Sequence, residues 1–489
     1  MNILVILGDQ LFPMLPPGIP VFMSEDKNLC TQYKYHKHKI ILTLSAMRNY
    51  ASDLKKTRDV FYFELSEQSF FENLLKTIKE NNFQKIMIHE ILDSFFEEEF
   101  RNFCQFHQIP LEFLPSQSFI NPLSDFSEYL QTVKKPFLKT YYQRQRIKHK
   151  ILIDSQNKPL GGQWSYDEDN RKALPLDIKI PHIKWDYSSH DPILEDVKKI
   201  VDVYFSDHPG NSENFFWPNT RALALKALED FCQHRFHLFG PYEDALTNKS
   251  HFVFHSGLSP LMNIGLITPQ EVIDTILSIP DIPMSSREGF IRQVIGWREF
   301  IFGIYKNFKK TLENSNTFSH TSLMTKDWYQ GTLGIPLVDE AIKQAQNIGY
   351  CHHIQRLMVL SNTMLLCRID PKEVYKWFME MFVDAAEWVM YPNVYGMGQG
   401  SDGGIFATKP YICGSNYLLK MSGSKPKERL PWMDIMDGLY WKFMSDYKDI
   451  FIKNPRMSVM YRQNLSSDKY LKLFELAENF IHKVTFEKP

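Results

Sequence analysis

The sequence predicts an α/β domain on a doubly wound parallel sheet, followed by an all-α domain, in one chain of 489 residues. Three observations carry this. Short continuous apolar runs alternate with helical segments through the first quarter of the chain, the pattern of strand–helix–strand units. From Thr220 onward apolar residues recur at helical spacing, with no strand series among them. Between these parts lies a stretch rich in loop residues. The boundaries read as 1–125 for the α/β domain, 126–215 for an interdomain linker and 216–489 for the helical domain. A chain this long holds two or three sizeable cores.

Residues 2–7 (NILVIL) have the pattern of a parallel strand covered on both faces. It ends at Gly8, Asp9, Gln10 and Leu11, at a sheet edge where open α/β sheets bind ligands. Residues 39–44 (KIILTL) read as a second strand, followed by a helix from Ser45. Strands at 60–64, 85–89 and 111–114 alternate with helices at 69–81 and 95–108. Residues 137–150 form a basic, aromatic helix, suited either to nucleic-acid phosphates or to solvent. Residues 159–175 are loop-like. In the second half, helices are expected at 221–236, 268–279, 289–307, 337–348, 349–368, 371–387 and 467–484.

Composition narrows the function classes. The formal net charge is −1, so any nucleic-acid contact must come from a local patch. Aromatic residues make up 14% of the chain, which suits a helical core or a site that stacks flat ligands. The six cysteines (30, 104, 232, 351, 367 and 413) form no Cys-x-x-Cys pair, which argues against a zinc site or a disulfide framework and for a reducing compartment. The opening MNILVILGDQL has no charged n-region and reads as a buried strand rather than a signal peptide. No apolar run approaches the length of a membrane span.

Four segments of the helical half carry candidate chemistry. Residues 240–245 with 255–260 put Ser256 and Ser259 around Gly257, either as a phosphate cradle or as a helix cap. On residues 292–300, Gln293 and Trp297 share a helix face beside Arg298. His352 and His353 open a strongly apolar helical run, and an imidazolium there can donate a proton at neutral pH. Asp384 and Asn393 precede a loop with Gly396, Gly398, Gly400, Gly403 and Gly404, either to hold a ligand or as surface features.

In order, LVILGDQL (4–11), KIILTLSAMR (39–48), GGQWSYDEDNR (161–171), SPLMNIGLITP (259–269), WREF (297–300), YCHHIQRLM (350–358), PNVYGM (392–397), DGG (402–404) and KPY (409–411) span the whole chain. Together they resemble the photolyase/cryptochrome family, in its bacterial (6-4) photolyase and CryB-like branch. The resemblance implies a helical domain that binds FAD and a reaction on UV-damaged DNA: light-driven repair of (6-4) photoproducts by electron transfer from reduced FAD. The alternative is a cryptochrome-type blue-light receptor. His353 matches the family's proton-donating histidine, with His352 beside it, and Tyr411 and Tyr417 match tyrosines at the lesion pocket. Tyr242, His255, Ser256, Gly257, Leu258, Ser259, Gln293, Trp297, Arg298, Asp384 and Asn393 stand where FAD contacts are expected. The branch carries a 6,7-dimethyl-8-ribityllumazine antenna, which Gly8, Asp9, Gln10 and Leu11 would hold.

For photoreduction, Trp377 matches one member of the family's aromatic relay, and Tyr329 or Trp328 another. Phe378 stands where a tyrosine is usual, and phenylalanine cannot serve as a tyrosine-like redox relay. Relatives in this branch bind a [4Fe–4S] cluster through four cysteines. Here the matching positions are Leu337, Lys425, Glu428 and Asp434, so no cluster is expected, and Lys420, Lys425 and Lys427 are assigned to a DNA-facing surface instead. A monomer in the bacterial cytoplasm, working on nucleoid DNA, completes what the resemblance implies.

Overall fold

The computed structural model describes residues 1–175, 177–183, 185, 191–407, 410–424, 426–453, 458–462 and 468–487. Lys409, Lys425 and the start of the helix expected at 467 lie outside the described residues.

Strands β1 (Asn2–Val5), β2 (Val21–Ser24), β3 (Val60–Phe63), β4 (Lys85–His89) and β5 (Leu111–Leu114) form one sheet in the order β3-β2-β1-β4-β5. All pairings are parallel, with Leu4 opposite Val21 on one side and Met87 on the other. The order reverses between β1 and β4, which is where an open sheet leaves a crevice.

Residues 39–44 are not a strand. They lie inside helix α1 (Lys37–Leu54), and the second strand is β2, which the sequence reading missed. The cause is burial on every side. His38, Ile40, Ile41, Leu42, Leu44, Ser45, Ala46 and Met47 are all buried, so the helix has no polar face to give it a helical period. A short continuous apolar run then reads equally as a strand. Helix α2 (Phe70–Asn81) is marked in the sequence by a reciprocal cap: the Glu72 N–H donates to Ser69 Oγ at 3.3 Å, and the Ser69 N–H donates to Glu72 at 2.7 Å. Helix α3 (Ser94–Phe106) follows β4.

Alternation along the strands assigns the two sheet faces. Ile3, Val5, Phe22, Ile86 and Ile88 pack with Phe70, Leu74, Phe96 and Phe100 of α2 and α3. Leu4, Ile6, Val21, Met23 and Met87 face the other way and join α1 in a core continuous with the helical half. The sheet edge is thereby fixed against the helical core. Lys39 of α1 donates from Nζ to the Ala385 carbonyl at 2.7 Å, across that junction.

The region between the two parts contains helices α4 (Asp125–Thr132), α5 (Leu138–Lys148) and α6 (Pro192–Tyr204). Among the described residues beyond Thr220, the elements are helical apart from one antiparallel pair of two-residue strands, Leu323–Met324 with Thr485–Phe486.

Two expected helices are broken, and both breaks shape the site. The helix expected at 371–387 runs only over Pro371–Met381, Phe382 is extended, and a new short helix begins at Glu387, leaving Asp384 in a turn. The helix expected at 349–368 does not begin at Gly349. That residue sits at φ +65° and caps the preceding helix, Pro336–Ile348, so helical structure starts only at His353.

Candidate cofactor cavity and histidine cluster

Three helices of the second half widen into π-type turns, over Arg292–Arg298, Gln355–Ser361 and Pro392–Gly398. All three turns line one cavity of about 1650 Å³. A π-type turn inserts a residue into the helical ladder and redirects side chains, and such turns recur at functional sites. Here they aim Gln293, Trp297, Arg298, Arg356 and Asn393 inward. His255, Ser256, Ser259, His353, Asp384, Tyr411 and Tyr417 complete the part of the wall that the sequence singled out.

The Asp384 carboxylate is held from two sides. Arg356 donates to both of its oxygens, at 2.8 and 3.2 Å, and Ser259 Oγ donates to Oδ2 at 2.6 Å. Asn263 Nδ2 donates to the Asp384 carbonyl at 2.8 Å, and its own Oδ1 accepts from Arg298 Nη1 at 2.6 Å. Arg298 also donates from Nε to Ser118 O at 3.1 Å and lies 4.6 Å over the Trp388 ring. Burial lowers the Arg298 pKa to about 10, so the guanidinium remains a cation at neutral pH. Its buried Nη2 has no hydrogen-bond partner among the described residues. An unsatisfied cationic donor on the wall of a cavity this large fits an anionic, phosphate-bearing ligand, and hence the FAD implied by the sequence.

Three imidazoles meet in a second cluster, of which His255 and His353 line the cavity. His255 and His352 stack 4.8 Å apart at 11°, and His353 meets His255 edge-on at 5.3 Å. The stacking is nearly parallel, so the in-plane lone pairs of His255 and His352 do not converge on one ion. Protons are distributed unequally across the cluster. Burial pushes His255 down to about 3, and the His353 charge adds to this. Burial, with His255 and His353 beside it, holds His352 well below the usual histidine range. For His353 burial also lowers the pKa, but the hydrogen bond to Asp244 and the charges of Asp244 and Glu243 outweigh it and the net shift is upward. His353 Nε2 lies 3.3 Å from Asp244 Oδ1, and its side chain is 47% exposed where it lines the cavity. The one histidine of the three that is open is therefore the one most readily protonated.

The 161–171 loop ties the linker to this rim. Asn170 Nδ2 donates to Glu243 Oε2 at 2.6 Å, and Gln293 Nε2 donates to Glu243 Oε1 at 2.7 Å. Gln293 thus supports Glu243 as well as lining the cavity.

Other residues singled out in the sequence lie off the wall. His352 is buried behind His255. Tyr242 packs on Phe254 at 5.6 Å. Leu258 is fully buried, and Gly257, at φ +67°, leaves no room for a Cβ beside Trp185 and Phe252. Trp377 is fully buried and donates from Nε1 to the Trp328 carbonyl at 2.9 Å, while Tyr329 donates to Glu380 Oε2 at 2.8 Å. Phe378 lines the cavity, 5.5 Å from Trp377.

At the sheet edge Asp9 and Lys39 lie close to Asp93. Burial raises Asp9 to about 6 and Asp93 to about 7, and it lowers Lys39 to about 8. Gln10 is turned inward, donating to His89 O at 3.0 Å, and Leu11 is buried. A Cβ on Gly8 would meet Thr43 at 2.7 Å.

The sequence reading missed Asn263, Arg356, Trp388 and Asp244. Asn263 and Arg356 stand inside motifs already quoted, four residues after Ser259 and three after His353, one helical turn in each case. Asp244 lies inside the 240–245 segment already singled out, without being picked from it, and Trp388 carries no local signal.

Two family models match the chain: "Deoxyribodipyrimidine photo-lyase-related protein" over residues 4–217, and "FAD binding domain of DNA photolyase" over residues 290–405. A (6-4) photolyase of Agrobacterium fabrum is 30% identical, over 99% of this chain and 99% of its own length. A deoxyribodipyrimidine photo-lyase of Neurospora crassa is 26% identical over 43% of this chain and 35% of its own length. Among solved structures, a bacterial class III photolyase from Agrobacterium tumefaciens superposes with a TM-score of 0.59 at 17% identity, over 99% of this chain and 98% of that one. A Synechocystis cryptochrome gives a TM-score of 0.60 at 13% identity, over 99% and 98%. With a helical FAD-binding domain set against a parallel sheet, this chain belongs to the photolyase/cryptochrome family.

Proposed function

We propose that the chain is a light-driven DNA lyase that repairs (6-4) photoproducts. The observation that carries this reading is the cavity-facing His353, held by Asp244 that raises its pKa, with Tyr411 and Tyr417 on the same wall. The relative that is 30% identical, a (6-4) photolyase, supports the choice of lesion. FAD bound in reduced form would supply the light-driven electron that the reaction needs. Arg298 and Asn393 would hold it, and Ser259 and Arg356 fix the Asp384 carboxylate that lines the same cavity. His353 commits Nε2–H to Asp244, so the proton available for donation is the one on Nδ1. A flipped-out dinucleotide enters beside that atom, because a stacked base cannot reach the cavity floor. Tyr411 and Tyr417 line that entry.

The sheet edge near Asp9 is assigned to a ribityllumazine antenna, with the Asp9–Lys39–Asp93 cluster offering the polar contacts. We infer that no [4Fe–4S] cluster is bound. None of the positions that match the cluster ligands, Leu337, Lys425, Glu428 and Asp434, is a cysteine, and such a cluster is held by four thiolates. About four irons per chain in an iron assay would overturn this.

The test is direct. Reduced protein under blue light should restore normal bases in an oligonucleotide carrying one (6-4) lesion. FAD binding without any restoration would exclude repair and leave the receptor reading.

A further inference from the structure

We propose that Phe137 is a wedge that enters duplex DNA at the gap left by an extruded lesion, while Lys134, Lys135 and Lys139 grip the flanking phosphates. This rests on the repair reading and deepens it, by naming the side chain that holds the opened duplex.

Phe137 is 51% exposed at the mouth of the cavity, as the residue preceding α5. A single exposed aromatic is ordinary. Its mounting is not. The hydroxyl of buried Tyr129 accepts from the Phe137 N–H and donates to the Phe137 carbonyl, both at 3.1 Å. Thr140 Oγ1 donates to the same carbonyl at 2.9 Å, and the preceding Pro136 is buried. The backbone is therefore fixed on both sides while the ring is left in solvent, so little conformational freedom is lost when the ring meets a partner.

The surrounding charge selects the partner. Lys134, Lys135 and Lys139 are exposed. Of the cations farther along α5, Arg144 and Lys148 pair with Asp125, and Arg146 is buried and donates to the carbonyls of Ile151, Leu152 and Trp164. Among the described residues no carboxylate lies within ion-pair distance of the three lysines. In a chain of net charge −1 this is a local excess of positive charge around a fixed aromatic ring. Phosphates flanking an exposed base stack satisfy both features at once. Drawing two bases into the cavity leaves a hole in that stack, and an apolar ring filling it opposes re-pairing. Phenylalanine suits this role because stacking on a base is tolerant of sequence.

The experiment is a dark titration of flavin-loaded protein with fluorescent duplexes, one carrying a (6-4) lesion and one undamaged. Phe137→Ala should weaken binding to the lesion duplex about tenfold, from the loss of one stacked contact. Binding to the undamaged duplex and the flavin absorption should be unchanged, and Phe137→Trp should restore affinity. A 2-aminopurine opposite the lesion should be bright with wild-type protein and dimmer with Phe137→Ala. Replacing Lys134, Lys135 and Lys139 together by glutamine should weaken both duplexes and flatten the salt dependence of log K by roughly 2 to 3. Wild-type affinity for the lesion duplex in Phe137→Ala, or equal loss on both duplexes, would overturn the wedge while leaving the repair reading standing. Failure of the wild-type protein itself to prefer the lesion duplex would overturn both.

Discussion

Asp244 Oδ1 lies 3.3 Å from His353 Nε2, and this contact makes His353 the most readily protonated of three clustered imidazoles. His255 and His352 stay neutral because burial dominates, whereas His353 gains more from Asp244 and Glu243 than burial takes away. A base with a raised pKa is protonated below that value and loses its charge as pH rises through it. Repair should therefore fall on the alkaline side of its pH profile. Asp244→Asn removes the charge that raises His353, so the fall should move to lower pH, with the flavin spectrum unaltered. His353→Ala should lower repair about 100-fold or more at every pH. Rates under saturating blue light across the pH range check both, and an unmoved alkaline limb in Asp244→Asn would rule out this role.

Asp384 and Arg356 form a nearly buried bidentate pair, their side chains 8% and 15% exposed. Arg356→Ala leaves the carboxylate without its main partner and should destabilise the protein by about 3 to 5 kcal/mol. Denaturant unfolding measures this. The double variant Asp384→Asn with Arg356→Gln should lose clearly less than the sum of the two single variants, because each single change strands the other group.

Phe378 stands on the cavity wall, 5.5 Å from Trp377, and has no hydroxyl to give up a proton on oxidation. Phe378→Tyr should speed photoreduction of bound flavin several-fold. Trp377→Phe should slow it in both backgrounds. Absorbance during illumination with a thiol reductant reports both rates, and equal rates for wild type and Phe378→Tyr would remove position 378 from the route.

His320 is buried and accepts or donates at 3.0 Å with Tyr447 Oη. Burial, with Arg368 adding to it, pushes its pKa down to about 3. The folded value lies below the unfolded one of about 6.5, so this histidine costs nothing above that pH and destabilises the protein as pH falls from there toward 3. His320→Gln can keep a hydrogen bond but not the proton uptake. The slope of unfolding free energy against pH between about 4 and 6 should fall by up to ~1.4 kcal/mol per pH unit. An unchanged slope would mean that His320 titrates normally.

Four of the five strands, the helical character of the second half and the motifs that line the cavity are legible in the sequence alone. These features are written locally. A short apolar run bounded by turn residues marks β1 or β4, and the reciprocal Ser69–Glu72 cap marks α2. Helix α1 escaped because burial on all sides erased its period. Only the tertiary structure decided the chemistry of the pocket. It broke the helix after Met381 so that Asp384 turns toward Ser259, 125 residues away, and toward Arg356. It exposed His353 rather than His352 and brought Asp244 to it from 109 residues away. It used buried Tyr129 to fix an exposed Phe137. Hydrophobic period reports how one segment meets one core. Protonation, ligand fit and rigid mounting depend on groups that the sequence keeps far apart and packing places within hydrogen-bond reach.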